Sequence, residues 1–232
     1  MEANESEVGR DGAVTRSLLR FGVLAGPLYL AVGLSQALLR DGFALARHSL
    51  SVLANGPGGW IQTANFVLTG LMVLAAAVGF GRLLGPKSRA LTWFLGGYGV
   101  AMIVAAVFPT DPVDGFPPGT PLGNPTSIST SGLVHLIAGA LAFTFLAASC
   151  FFAARAMWRR NLSSLALLSL LSGLAILLGF FGGIVLPMGV LGIWFAVVVG
   201  WAWLAFMSLR LPHIDELTRN PATSHIWESD PL

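Results

Sequence analysis

Six apolar stretches, each long enough to cross a lipid bilayer, dominate this sequence. A membrane-spanning helix needs about 20 mostly apolar residues, and six such stretches follow one another between residues 18 and 210. Only 10% of the residues are charged, whereas an ordinary soluble domain has about a quarter. A water-soluble fold of this composition would expose large apolar patches, so we predict an all-α, polytopic membrane protein. The predicted spans are residues 18–39, 60–81, 90–108, 131–154, 163–186 and 189–209.

The distribution of basic residues predicts the orientation in the membrane. Of the 13 Lys and Arg residues, only Arg40 and Arg47 fall on the face opposite to the chain termini. The positive-inside rule therefore places both termini in the cytoplasm of a multi-pass plasma (inner) membrane protein. Residues 1–17 and 211–232 are expected to be cytoplasmic tails that flank a membrane domain of residues 18–210. The net charge of +2 is too small to indicate a nucleic-acid partner, and the bilayer itself is the expected partner.

Two segments are predicted to lie outside, between spans. In residues 41–55, Phe43, Leu50 and Leu53 recur at helical spacing, which predicts a short amphipathic helix at the outer interface. The segment 109–130 has six prolines and cannot form a helix or a central strand. We expect it to be a structured cap over the outer end of the bundle.

Polar residues at membrane depth identify a candidate site. Amides and imidazoles cost free energy in a bilayer unless they are paired or face water, so those that share the outer leaflet are expected to face inward and meet in an outward-open pocket. We predict catalytic roles for His48, Asp111 and His135, and ligand-binding roles for Arg47, Ser49, Gln62 and Asn65.

The chemistry of this pocket stays open at the level of sequence. Asp111 could orient a histidine as general acid or base, with Ser49 or Ser51 as nucleophile. His48, Asp111 and His135 could also form a three-ligand metal site, although no His-x-x-x-His spacing supports it, and the sequence requires no cofactor. The alternative is that these side chains only bond helices to one another.

Several short motifs stand out along the chain: His48-Ser49-Leu50-Ser51, Gly56-Pro57, Trp60-Ile61-Gln62, Asn65-Phe66, Phe108-Pro109-Thr110-Asp111 and His135. Together they resemble a family of six-span bacterial membrane proteins that is catalogued only as a domain of unknown function. The resemblance covers about residues 18–210 and implies the fold but no activity. A looser similarity to the membrane hydrolases that include alkaline ceramidases does not extend to their zinc site, because the last two spans contain no histidine.

These observations lead to three functional hypotheses. The first is an outward-facing polar pocket that binds, and could process, a lipid-like or hydrophobic small molecule. The second is a non-catalytic scaffold, sensor or accessory subunit of the membrane. A transporter is disfavoured, because no charged residue lies near the centre of a span. The sequence indicates neither a particular ligand nor an oligomeric state.

Overall fold

A computed structural model of the chain describes residues 2–185 and 189–219. It consists of six α-helices: α1 (Glu2–Leu39), α2 (Gly59–Leu84), α3 (Arg89–Val107), α4 (Thr130–Trp158), α5 (Ser163–Val185) and α6 (Gly189–Arg219). Each contains a segment long and apolar enough to cross a membrane, and these described residues form no β-strand. The predicted all-α fold with six spans is confirmed. The predicted link Pro187-Met188, Met1 and residues 220–232 of the predicted C-terminal tail lie outside the described residues.

The first and last helices are longer than the apolar stretches that predict them. Helix α1 begins at Glu2 and α6 continues to Arg219, so residues 2–17 of the predicted N-terminal tail and residues 211–219 of the predicted C-terminal tail are helical. Hydropathy marks only the apolar part of a helix, whereas its backbone hydrogen bonds can continue into water. Near this end, Arg82 of α2 donates to the carboxylate of Asp11 at 2.9 Å and to the hydroxyl of Thr15 at 3.1 Å.

The six helices form a closed ring. Each helix packs against the next, and α1 also packs against α6. Helices α5 and α6 approach closely because glycines face each other, and a Cβ added to Gly179 would lie 2.9 Å from the carbonyl oxygen of Gly192. Trp60 at one end of the ring and Trp93 at the other are 73% and 77% exposed, where the interfaces of a bilayer favour tryptophan.

One end of the ring carries residues 40–58 and 108–129, and we call it the loop end. The amphipathic helix predicted over residues 41–55 is shorter in the structure: turns lead into a 3₁₀ helix, Leu50–Ala54. Its apolar residues Leu50 and Leu53 are buried inside the protein. Gly33 of α1 makes this possible, because a Cβ there would lie 2.6 Å from a methyl group of Leu50.

The proline-rich segment is anchored to the loop end by Phe116. This side chain is fully buried, with its ring centroid 5.3 Å from that of Phe43 and 5.7 Å from that of His48. The guanidinium of Arg40 lies 4.8 Å from the same ring and donates to the carbonyls of Leu53 and Asn55. Desolvation by burial lowers the pKa of Arg40 from its ordinary value, yet arginine stays charged in proteins. Arg40 therefore joins both connecting segments to the end of α1.

Candidate functional site

A cavity of about 220 Å³ lies inside the ring, towards the loop end. All six helices contribute to its wall, and residues 49–51 and Thr110 contribute from the loop end. One wall residue from each helix in turn is Tyr29, Phe66, Tyr98, His135, Phe180 and Trp201.

Aromatic rings form a continuous part of this wall. The ring centroid of Tyr29 lies 5.5 Å from that of Phe66 and 5.4 Å from that of Trp201. Trp201 in turn lies 5.8 Å from Tyr98, and Phe66 lies 6.4 Å from His135. These spacings are typical of interacting aromatic pairs, so rings from five segments of the fold hold one another in place around the cavity.

His135 presents one ring nitrogen to the cavity. Its Nδ1 lies 3.0 Å from the carbonyl oxygen of Ala105 and 2.9 Å from that of Phe108. Because both partners only accept, Nδ1 carries a proton and donates it, and Nε2 of the neutral ring is left as an acceptor. His135 is 93% buried and lines the cavity, and within the described residues Nε2 has no hydrogen-bond partner. This nitrogen is also not among the fully enclosed polar atoms, and the cavity is the open space that His135 borders.

The two tyrosine hydroxyls are also available to a ligand. Tyr29 and Tyr98 are buried and line the cavity, and neither hydroxyl hydrogen-bonds to any other residue of the described chain. Buried tyrosine hydroxyls usually have a partner. The cavity therefore combines an apolar, aromatic wall with the His135 acceptor and the hydroxyls of Tyr29 and Tyr98, which have no partner in the described protein, and Ser49, Ser51 and Thr110 also line it.

His48 occupies a different place, beneath the proline-rich segment. Its side chain is fully buried; Nδ1 accepts from the backbone N–H of Ala44 at 2.9 Å and Nε2 donates to the carbonyl of Asp114 at 3.1 Å. Both ring nitrogens are thus occupied by backbone groups. The neighbouring Arg47 makes a surface ion pair with the Asp114 carboxylate at 3.5 Å, a type that contributes little to stability.

Gln62 and Asn65 lie in the interface between α1 and α2. Gln62 Oε1 accepts from Gln36 Nε2 at 2.9 Å and from Asn65 Nδ2 at 3.3 Å, and Asn65 Nδ2 also donates to the carbonyl of Tyr29 at 3.1 Å. These bonds join the two helices directly behind the wall of the cavity. The other amide atoms of the three side chains are enclosed and have no partner in the described chain.

Asp111 lies against the first turn of α4. Its Oδ2 accepts from the backbone N–H of Ser129 at 3.0 Å, and its carboxylate is packed so closely on Gly132 that a side chain there would overlap it. Ser129 itself caps the helix by accepting from the N–H of Gly132 at 3.0 Å. A carboxylate at a helix N-terminus is favourable because it faces the positive end of the helix dipole.

The structure therefore separates the predicted site residues. His135 and Ser49 line the cavity, whereas His48, Asp111 and Asn65 bond to different neighbours. Among the described side chains, no three of His, Cys, Asp and Glu are grouped to hold a metal ion, so His48, Asp111 and His135 do not form the three-ligand arrangement.

Sequence reasoning missed the aromatic residues of the cavity. Tyr29, Phe66, Tyr98 and Trp201 lie inside apolar spans, where they resemble ordinary core residues. One signal was present: the chain has only two tyrosines, and both lie within spans and carry a hydroxyl into apolar surroundings.

The fold and the cavity together define a class of protein: a six-span integral membrane protein with an aromatic-lined cavity inside its ring of helices. The chain belongs to the family described as "Protein of unknown function (DUF998)", whose sequence model matches residues 23–210. This match confirms the resemblance seen in the sequence motifs. No curated protein and no solved structure matches the chain.

Proposed function

We propose that this protein binds a neutral, mainly apolar, lipid-like small molecule in the cavity inside its ring of helices. The observation that supports this function is the cavity itself, which is lined by aromatic rings and by polar atoms without protein partners. Binding sites for small molecules are typically concave and apolar, with a few polar groups that orient the ligand.

The size of the cavity argues against a packing defect. Protein interiors have few voids larger than a water molecule, and an engineered apolar cavity of about 150 Å³ already binds benzene. At about 24 cal/mol per Å³, an unfilled void of 220 Å³ costs about 5 kcal/mol. A single larger residue in place of Gly139 or Ala142, which line the cavity, would recover part of that cost. The small residues at these positions support a space that a ligand fills.

The lining also indicates the charge of the ligand. The described residues around the cavity include no Asp, Glu, Lys or Arg. A charged group there would be desolvated without a counter-ion, which is strongly unfavourable. A neutral ligand is the one that this wall accommodates.

The bilayer is the proposed source of the ligand. Leu136 of α4 lines the cavity and is also 53% exposed on the surface of the ring. This one side chain therefore borders both the cavity and the lipid-facing surface of a spanning helix. A hydrophobic molecule dissolved in the membrane could pass this side chain without entering water.

The loop end is proposed to face the outside of the cell, because it carries only Arg40 and Arg47 of the chain's 13 basic residues. A Thr126→Cys variant tests this orientation, since Thr126 is exposed and the native Cys150 is buried. We expect a membrane-impermeant maleimide to label the variant in intact cells to near completion, with the wild-type chain as control. Labelling that requires broken cells would reverse the proposed orientation.

A Gly139→Leu substitution tests ligand binding. Gly139 lines the cavity, and a Cβ added there meets no atom within 4 Å, so a larger side chain begins in open space and takes up part of the space of the ligand. We expect occupancy by a co-purifying neutral molecule, measured by native mass spectrometry, to fall at least about tenfold. The free energy of unfolding should rise by about 1 kcal/mol, because leucine is a better helix former than glycine.

Gly96→Leu is the matched control. Gly96 is also inside a helix, its added Cβ meets only one atom, at 3.9 Å, and it lies in a surface groove away from the cavity. The control should gain similar stability and keep the bound molecule. Equal occupancy in wild type and Gly139→Leu, or a wild-type protein that carries no molecule, contradicts the proposed function and favours a scaffold or accessory role.

A further inference from the structure

The polar atoms of the cavity differ in whether they donate or accept a hydrogen bond. This difference indicates the chemical class of the ligand. His135 Nε2 only accepts, because the proton of the neutral ring is on Nδ1 and is shared with the carbonyls of Ala105 and Phe108. The hydroxyls of Tyr29 and Tyr98 can donate. A ligand that pairs with His135 therefore needs a proton to give to its Nε2.

We propose that the ligand is a neutral amphipathic alcohol, whose hydroxyl group donates to His135 Nε2 and whose apolar body lies against the aromatic wall. This inference rests on the proposed function, because it concerns the same cavity. A hydroxyl is the smallest neutral group that both donates and accepts. An ester or an ether accepts only and would leave Nε2 without a partner, whereas a carboxylate would bring an uncompensated charge.

The placement of these groups agrees with such a ligand. His135 bonds to Ala105, which lies seven residues along α3 from Tyr98, so the imidazole is about 10 Å nearer the loop end than the base of Tyr98. Ring contacts connect the depth of the imidazole with the depth of Tyr98, through Phe66, Tyr29 and Trp201. The acceptor is therefore near the loop end, and the aromatic wall extends from it towards the membrane centre.

Sites that hydrogen-bond a ligand hydroxyl discriminate strongly against analogues that lack it, because the buried protein group is then left unpaired. We therefore expect His135 to determine specificity. The amide cluster of Gln36, Gln62 and Asn65 would not, since it lies behind the wall and its bonds join α1 to α2.

The experiment compares three probes of one chain length: 1-decanol, decyl methyl ether and decanoate. Binding to the full-length protein in lipid nanodiscs is measured by competition with the co-purifying molecule. We expect 1-decanol to bind about tenfold or more tightly than the ether, and decanoate to bind least. Equal affinity for the alcohol and the ether would overturn the inference, as would a preference for decanoate, which would indicate a cationic His135.

His135→Asn is the informative variant. Its side-chain amide can keep donating to the carbonyls of Ala105 and Phe108, as Nδ1 does, while the acceptor at Nε2 is removed. We expect this variant to fold, to bind the ether as the wild type does, and to lose the tenfold preference for the alcohol. A retained preference overturns the assignment of His135 as the acceptor.

Tyr29→Phe and Tyr98→Phe keep the ring and remove the hydroxyl, so they serve as a second measurement. Because the base of Tyr98 lies about 10 Å from the imidazole along the helix axis, the single oxygen of a probe held at His135 does not reach it, and we expect these variants to leave the preference for the alcohol over the ether unchanged. A selective loss of 1-decanol in these variants and not in His135→Asn would overturn the inference. If none of the probes binds the wild type and Gly139→Leu does not change the occupancy, the proposed function fails. If alcohol and ether bind equally, only this inference fails.

Discussion

Replacing Phe116 with alanine is expected to lower the free energy of unfolding by about 3–5 kcal/mol. The side chain is fully buried, and it is in contact with the rings of Phe43 and His48 and with the guanidinium of Arg40. Its removal leaves a cavity at the point where the proline-rich segment meets the helices. Unfolding of the purified protein in mixed micelles, followed by near-UV circular dichroism, measures the loss.

Leu122→Ala is the control for Phe116→Ala. Leu122 belongs to the same segment and is 77% exposed, so its truncation should change stability by no more than about 0.5 kcal/mol. The segment is an anchored part of the fold only if the two variants differ in this way. Two equally small effects would show that Phe116 does not hold it in place.

His48→Ala is expected to lower the free energy of unfolding by a similar amount, about 3–5 kcal/mol. The substitution removes a fully buried ring and leaves the N–H of Ala44 and the carbonyl of Asp114 without partners. Each unpaired backbone group costs about 1–3 kcal/mol, to which the lost packing against Phe43 and Phe116 is added. The same unfolding measurement tests this expectation.

Arg47→Ala is the control for His48→Ala, because it changes the adjacent residue and leaves the His48 ring in place. Arg47 precedes His48 in the chain, and among the described residues its side chain makes an exposed ion pair, so we expect the free energy of unfolding to change by less than about 1 kcal/mol. If His48→Ala instead unfolds like the wild type while the cells lose a phenotype that depends on the protein, the catalytic role predicted from sequence would be favoured over a structural one.

The spans could be predicted because hydropathy is a local property. Twenty apolar residues can cross a bilayer only as a helix, whatever their neighbours are. The extra turns of α1 before residue 18 and of α6 after residue 209 could not be predicted in this way, because polar residues are compatible with both a helix and a loop. The helix predicted over residues 41–55 shows the same limit. Its apolar residues have helical spacing, but Leu50 packs closely against Gly33, so the segment lies inside the fold.

The cavity could not be predicted because it depends on how each helix is rotated about its own axis. Tyr29 and Trp201 are 172 positions apart in the sequence, and only the packing of α1 against α6 brings their rings together. No local pattern in either span distinguishes these residues from those that face lipid.

For the polar site residues, burial could be predicted from the sequence, but the hydrogen-bond partners could not. The cost of polar groups at membrane depth correctly indicates that Gln62, Asn65 and His135 face inward. That cost does not depend on whether the partner is protein or ligand, however. Gln62 and Asn65 bond to helix α1, whereas Nε2 of His135 has no partner among the described residues, and His135 lines the cavity.

The closed ring has a consequence for how the protein is made. Helices enter the membrane in the order of synthesis, so α6 arrives last, and it brings Trp201 against Tyr29 and Tyr98. A nascent chain with five helices inserted has an incomplete wall and an open side between α1 and α5. The wall of the cavity is therefore complete only after α6 has inserted, so the proposed ligand would be enclosed only at that stage of assembly.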